Sequence, residues 1–456
     1  MALALQDQSQ AGSDMTERVR LLLQGMEDDL ERGVLPLTIY NNPEIHRLEL
    51  RGIFARSWIF VAHESEIPSP GDYVQRYIGH DPWIVVRGDD GQVRVLFDSC
   101  RHRGTQLCRA DRGNASQFMC PYHGWTYKNT GALAGVPNRA HAYQGLDEAE
   151  WGLLRAPQVD SYRGLIFACL DPLTRPLLDH LGDFRWYLDI HLSLCPSGME
   201  VVGVPHRWKV DADWKSGAEN FAGDSYHTQT LHRSIMEVGL APPSLAGGPG
   251  GKNDIHVTEC SGHTTSIRRV DAERSAFWSY PPEVVATFEG HQLSPEQYDL
   301  ARRSVVHTGT IFPNLSLIHL GATDDPEKPP AGYLSFRQWQ PKGPGQMEVM
   351  SWVLVPKTAP EWYKARAHKV AVANFSPSGN FEQDDTIVWG GVARAARSVF
   401  AEKVQAKLNY QMGLEWMSQA RLLKDWPGPG VVYDSNLEEG VERTFFRHWL
   451  RDMLRA

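Results

Sequence analysis

The chain has 456 residues, room for two or three domains around a large buried core. A formal net charge of -9 excludes an extended positive field, so neither nucleic acid nor anionic membrane is expected as a main partner. The N-terminus lacks a basic start followed by an apolar run, and no stretch of about eighteen apolar residues occurs, so export and membrane spanning are not expected and a cytoplasmic location follows.

From Thr16 to about Leu30, the residues Val19, Leu22, Leu23, Met26 and Leu30 recur at helical spacing, which predicts an amphipathic helix. Between Tyr73 and about Leu170 the pattern changes to short strands: YVQRYIG, PWIVVRG, VRVLFDS, SQFMC and LIFACL. Asp90-Gly91 signals a hairpin and Asn129-Thr130-Gly131 a further turn, so an all-β segment of about 120 residues is expected. Beyond Asp171, LSLIHL, YLSFRQWQP and MEVMSWVLVP predict consecutive antiparallel strands, with residues 341–346 as a turn, and a sheet able to support a pocket. Residues 241–254, APPSLAGGPGGKND, carry many breakers and no periodicity, which predicts a mobile loop and a candidate lid. After PGPG at 427–430, Val441, Phe445, Trp449 and Met453 recur every four residues and predict a closing helix. No internal repeat is found.

Six cysteines make no dense disulfide framework, and Cys108, Cys169, Cys195 and Cys260 have no ligand spacing, so they read as buried thiols. The other two stand in CRHRGT and CPYHGWTY. Cys100 and His102 are separated from Cys120 and His123 by seventeen residues, and each pair is expected at the tip of a β-hairpin. Two readings compete: one structural zinc, and a two-iron, two-sulfur cluster with two Cys on one iron and two His on the other. Each loop mixes one Cys with one His, so each could give one ligand to each iron, which favours the cluster. Gly104, Gly124 and Gly131 suit tight loops whose N–H groups approach the cluster sulfurs, and Trp125 and Tyr122 are expected to shield it.

A second constellation is AENFAGDSYHTQTLH, residues 218–232. Asp224 and His227, three apart, share a helix face, whereas His232 lies roughly 140° further round an ideal helix. Both histidines reach one metal only if the helix ends or bulges between them. Two His and one carboxylate on one face of iron(II) leave positions open for oxygen and substrate. The carboxylate must come from elsewhere, and NFEQDDTIVWGG, residues 380–391, offers Glu382, Asp384 and Asp385.

Cys-x-His, seventeen residues, then Cys-x-x-His-Gly-Trp resembles the Rieske domain of the aromatic ring-hydroxylating oxygenase large subunits, those acting on naphthalene, biphenyl and polycyclic hydrocarbons among them. Residues 218–232 are similar to the same family's Glu-Asn-Phe-x-x-Asp-x-Tyr-His-x-x-x-x-His motif, and residues 381–385 to its late acidic motif. SWIFVAHESEIPSPGDY and GTIFPNLSLIH extend the resemblance over nearly the whole chain. It implies an α+β fold: an N-terminal helical segment at 1–39, an all-β Rieske domain at 40–170, and at 171–456 a catalytic domain with an antiparallel, helix-grip-like sheet flanked by helices. It implies a Rieske 2Fe-2S cluster on Cys100, His102, Cys120 and His123, and a mononuclear Fe(II) on His227, His232 and Asp385, with Asp384 as the fallback.

The resemblance further implies catalytic roles for Asp224 and Asn220. Asp224 would join His227 to His123 of the partner subunit, which calls for a ring-shaped oligomer, α3β3 with a small subunit. Electrons would come from NAD(P)H through a reductase and a ferredoxin, and both atoms of O2 would enter an aromatic hydrocarbon as a cis-dihydrodiol. Phe221, Thr228, Ile318, Phe375 and Phe381 would line the substrate pocket; being mostly apolar and without Arg or Lys, they suit one or more fused rings better than a benzoate. A Rieske monooxygenase or demethylase, a benzoate-type dioxygenase and a non-catalytic iron-sulfur or zinc protein are the alternatives. Two positions depart from the usual pattern: Asp213 stands where an Asn often precedes the Trp, and Asn380 lies in a usually apolar stretch.

Overall fold

A computed structural model describes residues 16–241, 254–414, 421–434 and 438–455. Most of the loop expected at 241–254 therefore lies outside the described residues. The chain divides into two compact units, one spanning Phe54–His180, the other built from the segment before Phe54 and everything from Leu181 onward.

The first predicted helix is α1 (Glu17–Glu31), capped by the Thr16 side chain, with Val19, Leu23, Met26 and Leu30 buried. A short α2 (Pro43–Glu49) follows. Residues 40–53, expected to open the Rieske-like domain, pack with the larger unit instead, because their polar groups are satisfied there. Tyr40 donates to Glu219 at 2.6 Å, and Glu49 accepts from Lys215 at 2.6 Å.

The smaller unit is mostly β, as the short-strand pattern predicts. Strand β1 (Ile59–His63) precedes a four-stranded antiparallel sheet of β2 (Asp72–Ile78), β3 (Asp81–Arg87), β4 (Val93–Phe97) and β5 (Arg112–Asn114), in the order β4-β3-β2-β5. A three-stranded meander follows: β6 (Gln117–Met119), β7 (Thr126–Lys128) and β8 (Leu133–Gly135). Strand β9 (Gln158–Tyr162) then pairs with β10 (Leu165–Cys169), and β10 with β1. Residues 171–180, expected beyond the boundary, stay with this unit. Gln158 donates to the carbonyls of Asp171 and Thr174, and Trp58 to that of Arg175.

In the larger unit, β11 (Met199–Val201) and β12 (His206–Val210) lead to the helix that carries the second motif, α3 (Trp214–Gly223), and a one-turn α4 (Thr228–Leu231). An antiparallel sheet then forms from β13 (Asp254–Cys260), β14 (His263–Arg269), β15 (Ser304–Ile311), β16 (Leu315–Ala322), β17 (Ala331–Gly343) and β18 (Gln346–Pro356), each paired with the next. The turn expected over 341–346 tightens to Pro344-Gly345, with Gly345 at φ +62°. Every residue of β16 is buried, Ser316 and His319 included, because both faces of the strand are covered. Two long helices, α5 (Glu361–Phe375) and α6 (Asn380–Ala396), a short strand β19 (Val431–Tyr433) on β13, and the predicted closing helix α7 (Gly440–Met453) complete the unit. No described helix is long and apolar enough to cross a membrane.

Alternation along β15 and β16 gives the sheet two chemically different faces. One carries Val306, Thr308, Ile318 and Leu320 into the cavity described below. The other carries His307 opposite His319, both fully buried beside His191. His191 Nδ1 and His319 Nδ1 share a 2.9 Å hydrogen bond, His319 Nε2 meets the Tyr280 hydroxyl at 2.9 Å, and neither ring nitrogen of His307 has a hydrogen-bond partner among the described residues. Burial holds His191 down to about 3 and the other two well below the ordinary value. The unfolded chain takes up these protons below about pH 6.5 and the folded chain does not, so stability falls as pH drops through that window and is flat above it. The three rings together contribute a slope of up to about 4 kcal/mol per pH unit. His307→Leu is expected to remove about a third of it, measured as urea unfolding at pH 7.5 and pH 5; an unchanged slope would contradict this account.

Candidate metal centres

The first Cys/His pair was expected at a hairpin tip, and it is not at one. It lies in the connection from β4 to β5, strands on opposite edges of their sheet. The loop makes its own turn, Gly104 N–H donating to the Cys100 carbonyl and Cys100 N–H to that of Thr105, both at 2.8 Å. Buried Asp98 then pins the far side, accepting from the N–H groups of Leu107 and Cys108 and from the Gln75 amide. The second pair does cap a hairpin, between β6 and β7, where Gly124 N–H donates to the Cys120 carbonyl. Gly104, Gly124 and Gly131 adopt φ of +75°, +72° and +90°, conformations that favour glycine.

The two loops meet. The rings of His102 and His123 lie 4.5 Å apart, and Trp125, buried, stacks on His102 at 5.1 Å with 4° between planes. Tyr122 packs on His123 at 3.7 Å but is 59% exposed, so it covers the ring without sealing it. Cys100 and Cys120 are buried free thiols, as are the other four cysteines. Among the described residues the Nδ1 atoms of both histidines are buried without a hydrogen-bond partner, an arrangement that is costly unless a ligand takes them. Among the described residues, only one trio of His, Cys, Asp or Glu, in the other unit, has all its donor atoms within 4.8 Å of one another. These four donors are therefore spread wider than one tetrahedral zinc would hold them, and the spread suits a two-iron cluster. Tyr127 accepts from Arg101 N–H at 3.0 Å, which leaves its own proton for Cys100 Sγ at 3.3 Å. Tyr127→Phe is expected to lower the reduction potential of a cluster held here by about 50 mV, the one-electron equivalent of about 1 kcal/mol, as read by redox titration.

That trio is His227, His232 and Asp385. Helix α3 stops at Gly223, with Asp224 as its C-cap, and the one-turn α4 runs from His227 as N-cap to His232 as C-cap, so a helix ends between the histidines as the 140° offset required. Asp224 lies beyond the regular helix, so its link to His227 is made by the turn and not by a shared helix face. His227 Nε2 and His232 Nε2 are 3.2 Å apart, and Asp385 Oδ1 lies 3.2 Å from the latter and 3.8 Å from the former. Donors about 2.1 Å from one centre and at right angles would be about 3.0 Å apart, so the trio fits one face of an octahedral metal.

Each histidine is held from behind at Nδ1 by a different carboxylate. Asp224 Oδ2 lies 3.2 Å from His227 Nδ1, and Asp384 Oδ2 3.2 Å from His232 Nδ1. The adjacent aspartates thus point to different nitrogens of one ring, and Asp384 supports His232 while Asp385 joins the trio. Asn220 donates to Asp224 Oδ2 at 3.3 Å. Burial opposes the charged imidazole, yet Asp224 outweighs it and lifts His227 to about 9, while Asp224 itself, despite the cost of burial, is held below the ordinary carboxylate range. Glu382, the remaining acidic candidate, turns away and pairs with fully buried Arg337. That guanidinium lies 5.1 Å from the Phe221 ring and 5.2 Å from the Phe375 ring, so it braces the aromatic floor from below.

A cavity of about 630 Å³, open solvent included, adjoins the trio. All five residues proposed for it line it: Phe221, Thr228, Ile318, Phe375 and Phe381. Phe375 and Phe381 stack at 5.1 Å, and Phe381 lies edge-on to His232 at 4.9 Å. Asn380 is not among the lining residues, and Asp213 has a structural task as the N-cap of α3. The expectation of a pocket without a cation is corrected, because Arg268 lines it, together with Ser225, Ser266 and Thr308. Ser266 and Arg268 alternate along HTTSIRR and so share a face, but nothing local says that this face borders the pocket.

Comparison with known proteins agrees with this geometry. Residues 57–160 match the Rieske [2Fe-2S] domain, and residues 185–456 match the ring hydroxylating alpha subunit catalytic domain. The alpha subunit of N,N-dimethyl phenylurea N-demethylase from Sphingobium sp. is 38% identical over 94% of this chain and 93% of its own length. That of biphenyl dioxygenase from Paraburkholderia xenovorans is 34% identical over 93% and 92%. A crystal structure of naphthalene 1,2-dioxygenase from Rhodococcus sp. with indole bound superposes with a TM-score of 0.90 at 42% identity, covering 96% of this chain and 99% of that one. The chain belongs to the Rieske-type aromatic ring-hydroxylating oxygenases, as an alpha subunit. It is an oxidoreductase of the class that uses a Rieske cluster and a mononuclear iron, with electrons drawn indirectly from NAD(P)H.

Proposed function

We propose that this subunit adds both atoms of O2 to adjacent carbons of an aromatic hydrocarbon skeleton of one or more fused rings, giving a cis-dihydrodiol. Two electrons and two protons balance the addition. Cys100, His102, Cys120 and His123 would hold the cluster, and His227, His232 and Asp385 the iron(II). The observation that carries the reading is the trio of donors 3.2–3.8 Å apart beside a pocket floored by stacked phenylalanines. When bound, the cluster supplies electron transfer and the iron supplies dioxygen activation. The chain's own residues do the rest. Asp224 and Asp384 keep both Nδ1 atoms engaged so that both Nε2 atoms face inward, Asn220 steadies Asp224, and the phenylalanines hold the ring and exclude water.

A small beta subunit in an α3β3 assembly, a ferredoxin and its reductase complete the proposed system, in the cytoplasm. Within it Asp224 would also accept from His123 of the partner subunit. Its side chain is 33% exposed although it serves a half-buried histidine, which leaves room for a second imidazole. Asp224→Asn is expected to leave both metals bound and to cut turnover at least about a hundredfold. Cluster reoxidation by O2 in a single turnover should slow in parallel, and a normal rate in this variant would sink the electron-transfer role.

A second reading, hydroxylation followed by loss of an N-alkyl group, is favoured by the 38% identity to the phenylurea N-demethylase subunit. Isotopic oxygen separates the two. A cis-diol carrying both labelled atoms supports dioxygenation; one labelled hydroxyl or a dealkylated product supports the alternative.

A further inference from the structure

The pocket is chemically graded across its sheet wall. Strand register sets Ser266, Thr308 and Ile318 side by side on β14, β15 and β16, and in the next row Arg268, Val306 and Leu320. All six line the cavity. Both rows therefore run from polar at β14 to aliphatic at β16. The phenylalanines supply an apolar, aromatic surface beside the metal trio, whereas the β14 side offers the Ser266 and Thr308 hydroxyls and a guanidinium.

Arg268 is more than nine-tenths buried, and its charge is already answered. Nε lies 3.0 Å and 3.1 Å from the two oxygens of Asp254, and Nη2 3.0 Å from Oδ2. Asp254 stands directly opposite on β13, so the pair is built into the sheet register. The acidic groups lining the cavity are Asp224 and Asp385, the latter assigned to the iron. A carboxylate substrate would thus meet a cation already compensated by Asp254 and lie near the Asp224 carboxylate, and a bare hydrocarbon would strip water from hydroxyls and a guanidinium while giving nothing back.

We infer that this polar edge is a specificity subsite, and that the substrate class is an aromatic ring bearing an uncharged hydrogen-bond acceptor, such as a carboxamide or urea carbonyl. The acceptor lies at Ser266, Thr308 and Arg268, and the ring on Phe375 and Phe381. This rests on the oxygenase reading above and narrows it. The subsite anchors one end of the substrate and so selects which ring edge faces the iron.

The test is equilibrium dialysis of the iron-loaded alpha subunit, assembled with its small subunit, against naphthalene, 2-naphthamide and 2-naphthoate, with turnover of each measured alongside. The amide is expected to bind about tenfold more tightly than the hydrocarbon, and the carboxylate more weakly than the amide. Thr308→Val and Ser266→Ala are expected to narrow the amide preference below about threefold without touching the buried ion pair. Arg268→Met is a third probe, used only if the protein folds. Equal or tighter binding of naphthalene, tighter binding of the naphthoate, or a full tenfold preference surviving in both hydroxyl variants would overturn the inference. If the amide binds more tightly but none of the three is oxygenated, the reaction assignment fails and the subsite stands.

Discussion

Lys215→Met is expected to destabilise the larger unit by about 3–5 kcal/mol, because it strands two buried carboxylates at once. The ammonium is fully buried, 2.6 Å from Glu49 and 2.7 Å from Asp213. Glu49 also accepts from the indoles of Trp214 and Trp449, each at 2.9 Å, so this knot ties α2, α3 and α7 together. Asp213 caps α3 through Lys215 N–H, and burial pushes its carboxyl up to about 6 against the pull of the ammonium. With the cation gone, both acids must stay protonated or open the structure to water. Thermal and urea unfolding followed by tryptophan fluorescence would read the loss, and a change below about 1 kcal/mol would show that the network relaxes without cost. Since α3 also carries Asn220 and Phe221 and is capped by Asp224, pocket affinity should fall before the unit unfolds globally.

Asp385→Ala should abolish turnover, at least about a thousandfold, by emptying the mononuclear site. Asp384→Asn should cost about ten- to a hundredfold, because it removes only the acceptor behind His232 Nδ1. Iron analysis distinguishes the two. The first variant should fall from about three iron atoms per chain to about two while the cluster's visible spectrum persists, and the second should keep its iron at saturating metal. Retention of all the iron by Asp385→Ala, with loss in Asp384→Asn, would exchange the two assignments.

Spacing alone could pair Cys100 with His102 and Cys120 with His123, because donors two or three residues apart in a tight loop cannot avoid sharing a neighbourhood. It also demanded that the helix end between His227 and His232, and α4 does so, stopping at Leu231 with His232 as its C-cap. Spacing could not separate Asp384 from Asp385, since neighbouring carboxylates differ only in which nitrogen of His232 each one meets. It also misjudged the first ligand loop. A loop between two strands looks like a hairpin until the sheet order puts those strands on opposite edges.

By itself, then, the sequence determined which Cys and His residues cluster, because short-range spacing fixes that, and its motifs carried the membership in an oxygenase family, while Asp385 was singled out only through that resemblance. Only the tertiary structure decided what surrounds those donors. Arg268 looks like any charged strand residue until β13 sets Asp254 opposite it and the strand alternation turns it into the pocket. Arg337 and Lys215 would read as surface cations until Glu382 and Glu49, distant along the chain, arrive to hold them inside. Burial and strand register are properties of the packed chain, and a local pattern of residue types does not encode which of its faces will meet a cavity.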